Sequence, residues 1–127
     1  MRILSKDEVL QLHRMLINDT GGSHGLRDES LLESALNMPF SSFDSIDLFP
    51  TLLEKAARLA LGLIGNHPFI DGNKRIGIMA MQIMLHMNGV NLSCDNDELV
   101  RLGLGIAKSE MKHEDILEWL KINTEPM

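Results

Sequence analysis

Apolar residues recur along this chain with helical spacing, and short polar or glycine-containing breaks separate the runs. Ser5-Lys6-Asp7-Glu8 places serine at a cap position and glutamate three residues later, the capping-box pattern that starts a helix. Val9, Leu12, His13, Leu16 and Ile17 continue it on one face until Gly21-Gly22. His13 lies on that stripe and reads as a core or boundary histidine. Ser23 to Arg27 reads as a loop. Asp28 can cap a second helix whose buried face is Leu31, Leu32, Ala35 and Leu36, ending near Met38 because Pro39 follows. Thr51 and Glu54 repeat the capping pattern, and Glu54 and Arg58 have the i,i+4 spacing of a helical ion pair.

The two helices in the middle of the chain have a different pattern. From Thr51 to Gly65, Leu52, Leu53, Ala56, Ala57, Leu59, Ala60, Leu63 and Ile64 cover most of the circumference. From Ile76 to Asn88, Ile76, Ile78, Met79, Ala80, Met81, Ile83, Met84, Leu85 and Met87 do the same. A helix apolar nearly all round is buried, so these two form the centre. Gly62, Gly77 and Ala80 are small enough to let them approach closely, and Gly89 suits the end of the second. Val90-Asn91-Leu92 reads as a short extended piece with Arg2-Ile3-Leu4 as its expected neighbour. Asp95 begins a further helix through Leu99, Val100, Leu102, Leu104, Ile106 and Ala107. A last helix takes His113 to Ile122, with Ile116, Leu117, Trp119 and Leu120 inward and His113 in solvent. Asn123 to Met127 reads as a frayed tail. Pro39 to Pro50 is a loop, yet it carries Phe40, Phe43, Ile46, Leu48 and Phe49, too many apolar residues for a free linker. The fold expected is all-α: a single domain over residues 1–127, of about six helices around the central helix–loop–helix, with one very short β pairing.

Composition narrows the function classes. At 127 residues the chain can bury one sizeable core, and 44% hydrophobic with 24% charged residues is ordinary for a soluble globule. Nine Met against four Phe, one Trp and no Tyr indicate a helical core filled by flexible side chains. A net charge of −6 argues against DNA or RNA backbone binding, which needs a basic face. The single cysteine, Cys94, forms no internal disulfide, fits a reducing compartment, and has no base beside it in sequence. The N-terminus turns polar by Ser5, and Gln82 and His86 interrupt an apolar run too short to span a bilayer. A cytoplasmic protein without membrane association is expected.

Candidate chemistry is concentrated in His67-Pro68-Phe69-Ile70-Asp71-Gly72-Asn73-Lys74-Arg75, at the joint between the two central helices. His67 is a candidate general base, because imidazole titrates at about pH 6.5. Asp71 is a candidate ligand for a hard divalent cation. Gly72, Asn73, Lys74 and Arg75 open the second helix, whose N-terminal amides and partial positive charge favour phosphate. Gly72 permits close backbone approach, and Lys74 and Arg75 add charge-assisted donors. A tight structural connection would account for Pro68 as a stop, Gly72 as a turn, Asn73 as a cap and Phe69 as a core plug. It leaves His67, Asp71, Lys74 and Arg75 without a reason. A metal hydrolase would need further ligands at helical spacing, and the other histidines are scattered at 13, 24, 86 and 113. A non-catalytic interaction module is the remaining alternative class.

These nine residues resemble the Fic/Doc family of nucleotide-dependent protein-modifying enzymes, whose Fic branch carries His-Pro-Phe-x-Asp-Gly-Asn-Gly-Arg. Asn73-Lys74-Arg75 is similar to the Doc (death-on-curing toxin) branch, whereas Pro68 and Gly72 are as in the Fic branch. Gly25-Leu26-Arg27-Asp28 with Leu31-Leu32-Glu33-Ser34-Ala35-Leu36 also resembles Doc-like proteins, although Arg27 itself reads as an exposed neighbour of the helix cap. The resemblance implies ATP as substrate and Mg²⁺ on Asp71, with Asn73 assisting. It implies His67 as base, and Gly72, Asn73, Lys74 and Arg75 around the phosphates. Pro39 to Pro50 would be a flap edging the active site, where a protein target docks; a loop whose aromatics cover the core is the other reading.

The resemblance implies transfer of phosphate to a Ser or Thr hydroxyl of a translation factor such as elongation factor Tu, halting translation. AMP transfer, as in most Fic enzymes, is the alternative. Lys74 fills the place of the second Fic glycine, and Ile78 replaces a second Fic arginine, which together favour the kinase reading. No Glu of the chain is followed by Gly or Asn, so the self-inhibitory Fic motif is absent. Inhibition by a small antitoxin with a disordered segment is expected instead.

Overall fold

The four side-chain caps read from the sequence all start helices in the computed structural model, which describes residues 1–127. In chain order the elements are α1 (Lys6–Thr20), α2 (Glu29–Asn37), β1 (Ser42–Phe43), β2 (Ile46–Asp47), α3 (Leu52–Asn66), α4 (Asn73–Met87), β3 (Val90–Leu92), α5 (Asn96–Ala107), α6 (His113–Asn123) and β4 (Thr124–Pro126). Ser5, Asp28, Thr51 and Asp95 accept hydrogen bonds from the amides of Glu8, Leu31, Glu54 and Glu98 at 3.2, 3.0, 3.1 and 2.8 Å. Ser5 and Glu8 complete a reciprocal capping box. Glu54 instead accepts from the Thr51 hydroxyl.

The central pair α3 and α4 packs most extensively, with α2 and α6 against α3, α5 touching both and α1 against α4. Twenty buried apolar residues from these helices and the connecting loop form one contiguous cluster, so the chain has one core. Burying a side chain such as Leu63, Ile64 or Met81 stabilises the fold by roughly 1.5–3 kcal/mol. The small residues have separate uses. A Cβ on Gly77 would lie 2.5 Å from Ile64 Cγ1, so this glycine does bring α4 against α3; one on Gly62 would lie 3.1 Å from Ala35, which brings α2 against α3.

Several expectations are corrected. β3 pairs antiparallel with β4, Val90 opposite Pro126 and Leu92 opposite Thr124, and not with residues 2–4. The C-terminal segment is therefore an edge strand, held further by Met127 N–H to Gly89 O at 2.9 Å. A second β pairing, β1 with β2, makes a hairpin in the 39–50 segment. Phe43 and Ile46 on it are 77% and 70% exposed, so they cover no core. The hairpin is rooted by Lys55, which is 6% exposed and donates to the carbonyls of Pro39 and Phe49. Lys55 lies twelve residues before His67, about 18 Å along α3. The segment is thus anchored at the far end of α3 from His67, and none of it lines the cleft at His67. Arg58 does not pair with Glu54; its guanidinium stands 6.0 Å from the Phe49 ring centre, and burial lowers its pKa. His113 is not solvated. The Phe49 ring packs on it edge-on at 4.9 Å, its Nδ1 is enclosed without a partner, and burial pushes its pKa down. No helix is long and apolar enough to cross a membrane.

Candidate active site

α3 ends at Asn66, and His67 follows with φ 49° and ψ 55°, the left-handed conformation. Glycine is the usual residue there, because a Cβ costs roughly 1–2 kcal/mol in this region. Arg27 holds the turn in place. Its Nε donates to His67 O at 2.7 Å and its Nη2 to Asn66 O at 2.9 Å, so a guanidinium caps the negative end of α3. Arg27 is therefore no idle neighbour of the Asp28 cap. The amides of Arg27 and Asp28 both donate to Pro68 O, at 2.7 and 3.0 Å, and Ile70 N–H donates to Gly25 O at 3.0 Å. Residues 25–28 thus pin the first half of the loop, while the imidazole of His67 stays exposed.

Inside the loop, Asn73 has a role other than the one expected. It is 8% exposed, its Oδ1 accepts from Phe69 N–H at 2.9 Å, and its Nδ2 donates to Phe69 O at 3.0 Å. This leaves Gly72, at φ 79°, as the N-cap residue of α4, and Asn73 does not cap. Its amide is engaged with the Phe69 backbone inside the loop, a role not expected from the sequence. Phe69 is the buried plug, 2% exposed and stacked on His13 with ring centres 3.8 Å apart and 9° between planes.

α1 and the residues after it pin the second half. His13, itself 2% exposed, places Nε2 2.7 Å from the carbonyl oxygen of Asp71, and burial holds its pKa below the usual value. The Asp71 carboxylate accepts from Ser23 N–H at 3.0 Å and Gly72 N–H at 2.8 Å, and these bonds, the Ser23 bond foremost, lower its pKa. Gly22 passes so near that a Cβ would lie 2.5 Å from Asp71 Oδ2 and 2.9 Å from Arg75 Nη2. Arg75 Nη1 donates to Thr20 Oγ1 and Gly21 O, both at 2.7 Å, which ties α4 to the end of α1. Its Nη2 is 3.6 Å from Asp71 Oδ1.

Two features remain unused by the fold. No side chain caps the N-terminus of α4, in contrast to α1, α2, α3 and α5. Lys74, beside it, is exposed and forms no ion pair. Both open onto a cleft of about 420 Å³ lined by His67, Ile70, Asp71, Gly72, Asn73, Lys74 and Arg75. All six residues singled out in the sequence meet there. All six lie within residues 3–85, which match the Fic/DOC family.

The chain belongs to the Fic/DOC family.

Within the family its relatives are Doc proteins. Toxin Doc of Mycolicibacterium smegmatis is 42% identical over 77 residues, 61% of this chain and 59% of that protein's length. Protein kinase doc of Escherichia phage P1 is 27% identical over 121 residues, 95% of this chain and 94% of that protein. This places the chain in the Doc branch of the Fic/DOC family. The parts of this Fic/DOC site that sequence reasoning missed are its supports: Arg27, His13, and the Thr20–Ser23 segment. Gly21-Gly22 was legible only as a helix terminator. Cys94 plays no part, since burial and then the Glu98 and Asp95 charges raise its thiol pKa, away from nucleophilic thiolate.

Proposed function

We propose that this chain is a Doc-type toxin that transfers the γ-phosphate of ATP to a Ser or Thr hydroxyl of a translation factor such as elongation factor Tu. The observation that carries the reading is the uncapped N-terminus of α4, with Lys74 beside it, opening on the same cleft as the exposed His67. The name of the phage P1 relative, a protein kinase, supports the choice of reaction.

In the reaction the target hydroxyl oxygen attacks the γ-phosphorus. The bond from phosphorus to the β–γ bridging oxygen breaks, and its electron pair leaves with ADP. The hydroxyl proton passes to the His67 imidazole, general-base help worth roughly 10²–10⁴-fold. Lys74 and the free amides at the start of α4 hold charge on the transferred group, the electrostatic part of phosphoryl transfer. Arg75 assists through Nη2, since Nη1 is held by α1.

The residues present fit one divalent cation held jointly with substrate phosphates. Asp71 is ionised and keeps carboxylate lone pairs after its two backbone bonds, whereas no group of three His, Cys, Asp or Glu side chains offers an all-protein cage. Mg²⁺ on Asp71 would neutralise phosphate charge.

The site is open to solvent and the chain has no self-inhibitory motif, so control falls to a small antitoxin whose disordered segment folds over the cleft, in the cytoplasm where the target resides. Expression in a bacterial host, with and without the neighbouring small reading frame, tests this. Growth and translation should stop with the wild-type chain alone and resume on co-expression. Arrest that persists in a His67→Ala variant, or an absence of arrest, would overturn it.

A further inference from the structure

The cleft at His67 is lined by glycine and polar side chains with one exception, Ile70, which is 59% exposed. Single apolar residues are common on protein surfaces and need no explanation there. Ile70 differs because the fold fixes where it stands. Its N–H donates to Gly25 O at 3.0 Å, and the residue before it, Phe69, forms a β-bridge with Leu26. The residue after it is held as well, since the Asp71 carboxylate accepts from Ser23 N–H and the Asp71 carbonyl oxygen lies 2.7 Å from His13 Nε2. Phe69 fills the core, and in extended backbone successive side chains point to opposite sides, so Ile70 is turned outward. Gly25 lies beneath it. A Cβ on Gly25 would stand 2.7 Å from Ile70 Cδ1 and 3.6 Å from Cγ1, so the isoleucine rests on bare backbone. One face of the side chain is covered in this way, and the other opens into the cleft.

Phosphate oxygens and a divalent cation gain nothing from an alkyl face, and placing them on it would strip their own hydration. The protein that brings the hydroxyl is different. Its acceptor oxygen must come within about 2.6–3.2 Å of the His67 imidazole. Neighbouring Cα atoms of a chain are about 3.8 Å apart, so the residues on either side of the acceptor must fit around the same opening. His67 and Ile70 are both exposed and line that opening together.

We propose that Ile70 is a specificity-determining residue, which receives an apolar side chain directly adjacent to the acceptor Ser or Thr of the target. This rests on the reading of the cleft as a protein-hydroxyl kinase and adds a sequence context to it. A hydroxyl flanked by Val, Ile, Leu, Met or Phe seats its neighbour against Ile70 and its oxygen against His67. A hydroxyl flanked on both sides by charged or strongly hydrated residues leaves the isoleucine wet and is passed over. Because the loop is already fixed, the contact costs little ordering on this side. Loss of one such contact changes selection by about tenfold or more. Ile70 touches no reacting atom, so its effect falls on capture of the target and not on phosphoryl transfer.

Transfer of γ-labelled phosphate by the full chain, measured over a dilution series of bacterial extract with Mg²⁺ and ATP, tests the assignment. Ile70→Asn should raise the half-saturating extract concentration at least tenfold and keep the maximal rate within twofold. Ile70→Val, which keeps an apolar face, should stay within threefold of the parent. Calorimetry with ATP and Mg²⁺ should give affinities within twofold for all three chains. Their melting temperatures should agree within about 2 °C, as expected for an exposed position. Mass spectrometry of the labelled protein should find an apolar residue directly before or after the modified Ser or Thr. An Ile70→Asn chain with the parent's half-saturation would overturn the proposal, as would polar residues on both sides of the acceptor. A fall in maximal rate alone would also overturn it and place Ile70 in the transfer step, and weaker ATP binding would place it on the nucleotide. Unchanged transfer combined with loss of antitoxin rescue would assign the residue to the antitoxin instead. No γ label from the parent chain would defeat the kinase reading of the cleft, and this inference with it.

Discussion

Replacing Asn73 by alanine separates a loop staple from a metal ligand, because the two roles predict different losses. In the structure the Asn73 amide is the partner of both backbone groups of Phe69, at 2.9 and 3.0 Å, in a buried setting. The bridge between Leu26 and Phe69 does not relieve them, since its hydrogen bonds run through Arg27 N–H to Pro68 O and Ile70 N–H to Gly25 O. Asn73→Ala therefore strands one donor and one acceptor, at about 1–3 kcal/mol each, less whatever water recovers. A loss of about 3 kcal/mol is a large share of the roughly 5–15 kcal/mol that holds a domain folded. For a chain of this size it corresponds to a fall in thermal midpoint of roughly 9–15 °C. Circular dichroism melts of parent and variant, with and without Mg²⁺ and ATP, would measure it. Asn73→Asp should recover only part of the loss, because a carboxylate accepts from Phe69 N–H but opposes Phe69 O. An alanine variant that melts within 2 °C of the parent and has merely lost its response to Mg²⁺ would refute the reasoning and return Asn73 to the metal.

Lys74→Ala should weaken triphosphate binding about tenfold at low ionic strength, as expected for one charge-assisted bond, and the difference should shrink in 0.5 M salt at about 4 Å screening length; titration calorimetry at two salt concentrations reads both. Arg75→Lys keeps the charge but cannot reproduce the two Nη1 bonds to Thr20 and Gly21, so it should cost roughly 1–2 kcal/mol in chemical denaturation; a variant as stable as the parent would show that this tie does not matter. His113 has its folded-state pKa lowered by burial, so the unfolded chain binds more protons below about pH 6.5. Its contribution is complete above that pH and is lost as pH falls toward the folded-state pKa; the thermal midpoint should drop between pH 7 and 5, and His113→Leu should flatten that slope.

What was legible in the sequence was local. Ser5, Asp28, Thr51 and Asp95 cap helices because a short oxygen-bearing side chain reaches an amide three residues on, whatever the rest of the fold does. His13 was legible as buried because it shares a stripe with Val9, Leu16 and Ile17. The meeting of His67, Asp71 and Lys74 followed from their spacing in one loop between two buried helices. Most of the misreadings are non-local. β4 pairs with β3 across more than thirty residues, and nothing in Thr124-Glu125-Pro126 signals a strand. Arg58 turns to Phe49 and not to Glu54, and Phe49 also encloses His113, because the 39–50 segment returns to the N-terminal end of α3. Arg27 reads in sequence as an exposed neighbour of a cap and Arg75 as a phosphate ligand, yet each also reaches a helix C-terminus about forty to fifty-five residues away. Asn73 could have been read either as a cap or as a staple, and only the position of Phe69 decides between them.

The central claim is that His67 accepts the proton of a protein hydroxyl while the terminal phosphorus of ATP lies beside it. Incubating the purified chain with bacterial extract, Mg²⁺ and ATP labelled at either the α- or the γ-phosphorus tests it most directly. The account predicts γ label on one abundant protein and none from the α position. A His67→Ala chain that melts at the parent temperature, as an exposed side chain allows, should lose the signal. α label on protein, or γ label that survives in the His67→Ala chain, would contradict it.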